Sequence, residues 1–478
     1  MKTRKMNESR NHDVLSDNKI TRDTLVLVLA GGQGSRLHEL TTHRAKPAVH
    51  FGGSWRMIDF TLSNCLNAGL HTVGILTQYQ AASLHHHLEH AWPAPPVGEL
   101  TIDLLPASQA YQGTADAVRQ NLTYLKEYYK TKYILILAGD HIYTMDYRHM
   151  LQDHIRHAAG CTVACIEVAR QEASQFGILA ADENWQVQSF VEKPADPPCV
   201  LGKPDVSLAS MGIYVFDTDY LYDLLTAPSA ENDHDFGHDI LPRVLQEGRL
   251  YAHSFEHSCT NHPSDGHTYW RDVGTLDSYW QAHMDLLGNP PELQLFDPNW
   301  VIHAAPAPDT PPHLHPNSTL CDTPEYSLIG SDCTLSDAYI CSSVLSHGVT
   351  IEEGTSIQAA VILPDVHIGK HCRLKNCIVE RGCILPDGLS IGFQPTEDAR
   401  YFRLSSSGKV VLVTPDMLAK YAEDTERQPK CNTPIRSISS AEQYRANPRN
   451  RLHPRGTARS RSSGNMTART PSFPSRAH

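Results

Sequence analysis

Between Leu25 and Pro47 the chain reads LVLVLAGGQGSRLHELTTHRAKP: an apolar run, then glycines, then two cations, Arg36 and Lys46. This order of residue types suits a polyphosphate. Glycines let backbone N–H groups approach phosphate oxygens closely, and a helix opening after them would add its positive end. Arg36 and Lys46 would neutralise oxygens that otherwise repel an anionic nucleophile. The pattern is neither a Walker A loop nor a full G-x-G-x-x-G, and a glycine turn after a strand is also an ordinary βα corner. A second candidate is Tyr133–Asp140 (YILILAGD), an apolar strand ending in a carboxylate. A hard oxygen ligand there suits Mg²⁺, which two anions need if they are to meet; the same carboxylate could simply cap a helix.

Such residues must be carried by a sheet whose strand ends converge. From Thr24 to about Val244, apolar strands alternate with amphipathic stretches, as in a βαβ architecture. Strands are expected at 25–29, 73–77, 133–138, 162–168, 186–191 and 212–216, with helices at 57–68, 81–90, 114–129 and 147–159. In an open parallel sheet, ligands bind beyond the carboxyl ends of the strands, where the conspicuous loops lie. From about Leu328 the texture changes. Ile329, Leu335 and Ile340, then Ile351, Ile357 and Ile362, then Ile368, Leu374 and Val379 recur at close to six residues, the hexapeptide rhythm of a parallel β-helix. Cys333, Cys372, Cys377 and Cys383 fall at its small-residue positions and read as stacking residues. The expected organisation is a polar, disordered 1–22, a Rossmann-like α/β domain at 23–290 with a mostly parallel sheet, and a Pro- and His-rich linker at 291–325. A left-handed β-helix at 326–424 and a disordered basic tail at 425–478 complete it.

Composition excludes several classes. The 478 residues are 40% hydrophobic and 20% charged, with a net charge of −12, which argues against a general nucleic-acid binder. The charge is uneven: the chain from Arg427 onward carries eleven Lys/Arg and one acid, Glu442. No apolar run approaches the ~18 residues of a membrane span, and no secretory signal is visible. Twelve cysteines without CxxC pairs read as reduced thiols of a cytoplasmic protein. No Ser/His/Asp or Cys/His nucleophile arrangement stands out, and His86 and His90 lack a third metal ligand.

The pattern LAGGxGxRL followed by KP resembles the signature of sugar-nucleotide pyrophosphorylases. Its continuation from Arg44 to Gly69 (RAKPAVHFGGSWRMIDFTLSNCLNAG) resembles the bacterial ADP-glucose pyrophosphorylase family, a likeness that covers roughly residues 24–420. The resemblance implies transfer of AMP from ATP to α-glucose 1-phosphate with release of pyrophosphate, the committed step of glycogen synthesis. It implies Arg36, Lys46 and Asp140 as catalytic residues. Mg²⁺ would be held by Asp140 and by Asp272 of YWRDVGT. The nucleotide would meet Leu29, Ala30, Gly31, Gly32, Gln78, Gly113 and Thr114. Glucose 1-phosphate would meet Tyr111, Gly177, Glu192 and Lys193 (FVEKP), and Ser210. The same resemblance implies a homotetramer under small-molecule allosteric control through His43, Arg44, His50, Arg56 and Arg400.

Two departures from the family pattern stand out. The run ASQAY is shorter than usual and lacks the aromatic residue that the family carries before the tyrosine that is Tyr111 here. His43 replaces a basic residue, so the effector chemistry is open. A pyrophosphorylase for another nucleotide sugar, and a catalytically silent regulatory subunit on the same fold, are the alternatives; the second would be marked by loss of Arg36, Lys46, Asp140 or Asp272, all of which are present.

Overall fold

The computed structural model describes residues 18–93, 100–228, 232–261, 268–303, 313–316 and 326–427. Strand β1 (Thr24–Ala30) is apolar from Leu25 onward because it is central. It runs parallel to β2 (Thr72–Thr77) on one side and to β4 (Tyr133–Ala138) on the other, with Leu29 opposite both Leu76 and Ala138. β3 (Thr101–Pro106) extends this parallel half beyond β2. Val26 and Val28 enter one core and Leu25 and Leu27 the other, the period-2 alternation that buries both faces of a sheet.

The other half of the nine-stranded sheet is mixed. A two-stranded ribbon stands beside the sheet, formed by β5 (His141–Tyr143) and β11 (Trp270–Asp272). β6 (Cys161–Ala169), β7 (Gly177–Ala181) and β4 all pair antiparallel with the long β9 (Val206–Asp217). β8 (Val187–Glu192) closes the edge against β7, and β10 (Leu250–Ser254) lies parallel to β6. Helices α1 (Met57–Asn67), α2 (Ala81–Ala91), α3 (Thr114–Tyr128) and α4 (Tyr147–Arg156) occupy the expected spans to within three residues. A fifth, α5 (Leu276–Met284), follows β11 directly.

The hexapeptide segment forms a parallel β-helix with three strands per coil, in agreement with the left-handed β-helix expected. Val344, Val361 and Ile378 stack in register, one per coil. With Leu328 and Leu412 they join the core of the α/β part, whereas the adjacent Ile329, Leu345, Ile362, Val379 and Val413 fill the β-helix interior. Burying five such side chains contributes on the order of 10 kcal/mol, so the β-helix is docked rather than tethered.

Three expectations need correction. Residues 18–22 are helical rather than disordered: Thr21 is buried, and Thr24 Oγ1 donates to the Ile20 carbonyl. The first part of the expected linker is packed, with Leu293, Leu295, Trp300 and Ile302 buried and the Trp300 indole donating to Asn64. Apolar residues scattered among prolines gave no periodic signal of this. Cys341 is disulfide-bonded, whereas Cys333, Cys372, Cys377 and Cys383 are free, as expected of stacking residues. The expected tail beyond residue 427 and the first 17 residues lie outside the described residues. Among the described residues no helix is long and apolar enough to cross a membrane.

Candidate active site

After β1 the chain passes through Gly31 to Gly34 and enters a 3₁₀ segment, Ser35–Thr41. Gly34 is left-handed, and a Cβ there would lie 2.9 Å from Lys46 Cβ, so glycine is required. The segment is broken at His38 (φ 52°, ψ −125°), which corrects the expectation of a helix dipole: too few peptides align to add one. Charge at this loop comes instead from Arg36, whose side chain is 62% exposed. Leu29, Ala30, Gly32, Arg36, Lys46 and Asp140 line a cavity of about 230 Å³, the volume of a few phosphate groups.

Lys46 sits in a short turn, Lys46–Ala48, and is only 6% exposed. Its Nζ lies 2.8 Å from Asp140 Oδ2 and 3.1 Å from Asp272 Oδ1. The carboxylates meet because Asp140 follows β4 at its carboxyl end and Asp272 ends β11, opposite His141 of β5. Burial would raise the Asp140 carboxyl, but the charges of Lys46 and then His141 hold it at about 2. Burial would likewise lower the Lys46 ammonium, and the two aspartates outweigh it and raise it. Two hard carboxylates sharing one cation fit a divalent ion that takes its remaining ligands from phosphates and water. Among the described residues no cluster of three or more His, Cys, Asp or Glu offers a complete protein cage.

On the other side of Asp272 lies a second cavity, of about 380 Å³, lined by Gly177, Glu192, Lys193 and Ser210. Arg36 lines both cavities, and Asp272 lines this one while Gly274, two residues on, lines the first, so the two share a wall. Glu192 is wedged between glycines: a Cβ on Gly177 or Gly237 would come within 2.7 or 2.8 Å of its Oε2. Lys193 Nζ rests on Glu192 Oε1 at 2.7 Å and is 64% exposed. Tyr214 and Trp270 also face this cavity and were not singled out in the sequence. Trp270 lies inside the YWRDVGT motif, and Tyr214 follows a register shift in β9 that starts at Ser210.

The segment assigned to the nucleotide is tied inward. Ala115 and Asp116 donate their amides to the His234 carbonyl at 2.9 and 3.1 Å, and Thr114 Oγ1 donates to Asp235. Gln78 accepts the Tyr111 amide at 3.0 Å, and the Tyr111 ring lies against Gly31. Tyr111 is thus beside the glycine loop, whereas Gly177, Glu192, Lys193 and Ser210, the other residues expected at glucose 1-phosphate, line the sugar-side cavity. The structure also contains an unexpected Ser/His/Asp chain: His253 bonds Asp153 at 2.7 Å and Ser258 at 2.9 Å. His253 and Ser258 are 1% and 2% exposed, so this chain packs α4 against β10 and reaches no substrate.

Two family models match the chain: nucleotidyl transferase over residues 25–289, and the GlmU-like C-terminal hexapeptide over residues 316–413. A glucose-1-phosphate adenylyltransferase of Haemophilus influenzae is 52% identical over 84% of this chain and 93% of its own length. The chain belongs to the glucose-1-phosphate adenylyltransferase family. Enzymes of that name from Pasteurella multocida (53% identity; 84% of this chain, 93% of theirs) and Actinobacillus succinogenes (51%; 86% and 97%) agree. The chain is therefore a nucleotidyltransferase, of a kind that uses a divalent metal.

This adenylyltransferase has a third cavity, of about 700 Å³, between the α/β part and the β-helix. His43, Arg44 and Arg400 line it, with Arg381, Arg403 and Lys420 adding positive charge and Glu39, Glu380 and Asp416 opposing them. Arg44 Nη2 is 3.4 Å from Glu380, whose carboxyl burial pushes up in spite of that partner. His50 and Arg56 do not line the cavity. His50 is buried, and desolvation followed by the charges of Arg56 and Arg44 depresses it well below the ordinary histidine value. Arg56 donates to the Ala48 carbonyl at 2.8 Å.

Proposed function

We propose that the chain transfers AMP from ATP to α-glucose 1-phosphate, with the nucleotide phosphates in the glycine-loop cavity and the sugar phosphate in the cavity beside Glu192. The observation that carries this reading is the shared wall: Arg36 borders both cavities, and the run Asp272-Val273-Gly274 puts Gly274 on the nucleotide side and Asp272 on the sugar side, so two anions are held side by side. A phosphate oxygen of the sugar attacks the α-phosphorus in line, the new P–O bond forms, and the bond to the β-phosphate breaks with its electron pair leaving on pyrophosphate. Catalysis of this kind is positioning plus charge neutralisation. Arg36 draws on the leaving pyrophosphate, Lys46 on the nucleotide and Lys193 on the sugar phosphate. Glu192 accepts hydrogen bonds from sugar hydroxyls. Asp140 and Asp272 would hold Mg²⁺, which when bound would supply charge neutralisation toward the phosphates.

The product feeds glucose into glycogen, and the same reading extends to regulation in the cytoplasm. The cation-rich third cavity suits a small phosphorylated effector, with the short His43 weakening any activator that needs a long, flexible basic side chain there. A homotetramer is the assembly expected, checked by sedimentation of the full chain. The substrate assignment is tested by scoring pyrophosphate release with ATP, UTP, GTP, CTP and dTTP against glucose 1-phosphate and other sugar 1-phosphates. Preference for the ATP and glucose 1-phosphate pair supports it, and preference for another pair replaces it.

A further inference from the structure

The β-helix ends in a hairpin of β12 (Arg403–Leu404) and β13 (Val411–Val413), and β13 stacks on Cys377–Val379 of the coil below. This hairpin reaches the α/β part at two places. Arg403 Nε lies 2.8 and 2.6 Å from the two carboxylate oxygens of Glu39, a forked contact. Ser405 Oγ and Ser407 Oγ each donate to Asp277 Oδ1 at 2.6 Å, and the Ser407 amide donates to Oδ2 at 3.1 Å. Burial would raise both carboxyls, but their hairpin partners outweigh it, so both are held below their ordinary values.

The two anchor points share one spatial logic. Glu39 stands one 3₁₀ turn after Arg36 in the segment that His38 kinks. Asp277 stands in the first turn of α5, just after the run Asp272-Val273-Gly274. Arg36 and that run meet each other: a Cβ on Gly274 would lie 2.8 Å from Arg36 Nη2, and Arg36 Nη2 is 3.9 Å from Asp272 Oδ2. The hairpin therefore holds the far ends of the two segments whose near ends form the wall between the cavities. The Ser35–Thr41 segment has no side-chain cap and a non-helical residue inside it, so its own backbone does not fix where Arg36 points.

We infer that Glu39 and Asp277 are positioning residues for AMP transfer, gripped by Arg403 and by Ser405 with Ser407, and that the β-helix thereby sets the approach of Arg36 to Asp272. The inference rests on the reading of that wall as the place where the two substrates meet. Neither Glu39 nor Asp277 touches the reacting atoms; each acts through a neighbour. An exposed ion pair adds little to global stability, whereas a displacement of about 1 Å at a reacting group can cost about 10²-fold in rate. The signature is thus a loss of turnover without a loss of fold.

The test compares the full-length wild type with Arg403→Ala, Arg403→Lys, Ser405→Ala/Ser407→Ala and the exchange Glu39→Arg/Arg403→Glu. Turnover, both KM values and Tm are measured for each. The inference expects kcat to fall about tenfold in Arg403→Ala and in the double serine variant, as a fraction of the misplacement cost. KM for glucose 1-phosphate and Tm should hold, Arg403→Lys should retain part of the rate, and the exchange should recover most of it. A kcat within about twofold of wild type in both Arg403→Ala and the serine variant, or an exchange that folds but recovers nothing, overturns it. A wild type inactive with ATP and glucose 1-phosphate would instead overturn the reading beneath it.

Discussion

Lys46 Nζ lies 2.8 Å from Asp140 Oδ2, and the same ammonium reaches Asp272 Oδ1 at 3.1 Å. A buried lysine thus occupies the place between two carboxylates where a divalent ion would carry the same sign of charge. Lys46→Met should leave the carboxylates without their cation. The substrate-free variant is expected to bind Mn²⁺ more tightly than wild type in an EPR titration, while its turnover falls by about two orders of magnitude. Unchanged Mn²⁺ affinity would show that lysine and metal do not compete.

Lys193 rests on Glu192 at the sugar-side cavity, and its side chain is 64% exposed. Lys193→Ala should raise KM for glucose 1-phosphate roughly tenfold, the value of one hydrogen bond to a charged group. KM for ATP should be unaltered. A change confined to ATP would place Lys193 on the wrong substrate.

Gly113 opens α3 with extended backbone, and a Cβ there would lie 2.3 Å from the His234 carbonyl oxygen. That oxygen belongs to backbone that already accepts the Ala115 and Asp116 amides, so no flexible side chain can yield. Gly113→Ala should cost about 1–3 kcal/mol and lower Tm in thermal unfolding, with Glu192→Gln as a control that leaves Tm in place.

His283 gives the fold a pH dependence of definite sign. Its ring is buried, with Nδ1 on the Tyr279 carbonyl at 2.8 Å and Nε2 accepting the Gly52 amide at 3.2 Å, and burial lowers it from 6.5 to about 4. Between those values the unfolded chain binds a proton that the folded chain refuses. The stability contributed by neutral His283 is therefore complete above pH 6.5 and is lost as pH falls toward 4, to a total on the order of 3 kcal/mol. Urea unfolding at stepped pH should show this slope, and His283→Gln should flatten it.

Long-range pairing separates what was legible in the sequence from what was not. β1, β2, β4 and β6 are buried on both faces, so each reads as an apolar run. β3 lies at the sheet edge and is largely half-exposed, and TIDLLP carries no such signal. The carboxylates Asp140 and Asp272 were each recognisable within a motif. Their meeting depends on a ladder of three-residue strands too short to read, β5 against β11. The place of Tyr111 beside the glycine loop follows from its contact with Gln78, 33 residues earlier, which its own motif does not announce. The hairpin contacts of Glu39 and Asp277 join residues far apart in the chain, and nothing local in either stretch announces them.

If Asp140 and Asp272 serve AMP transfer at the wall between two anion cavities, Asp140→Asn removes one of the two charges on which it depends. Pyrophosphate release is measured with ATP, glucose 1-phosphate and Mg²⁺, beside circular dichroism and thermal unfolding of the same sample. Turnover is expected to fall by several orders of magnitude with the fold intact. Near-wild-type turnover in a folded Asp140→Asn protein would show that this carboxylate has no part in AMP transfer.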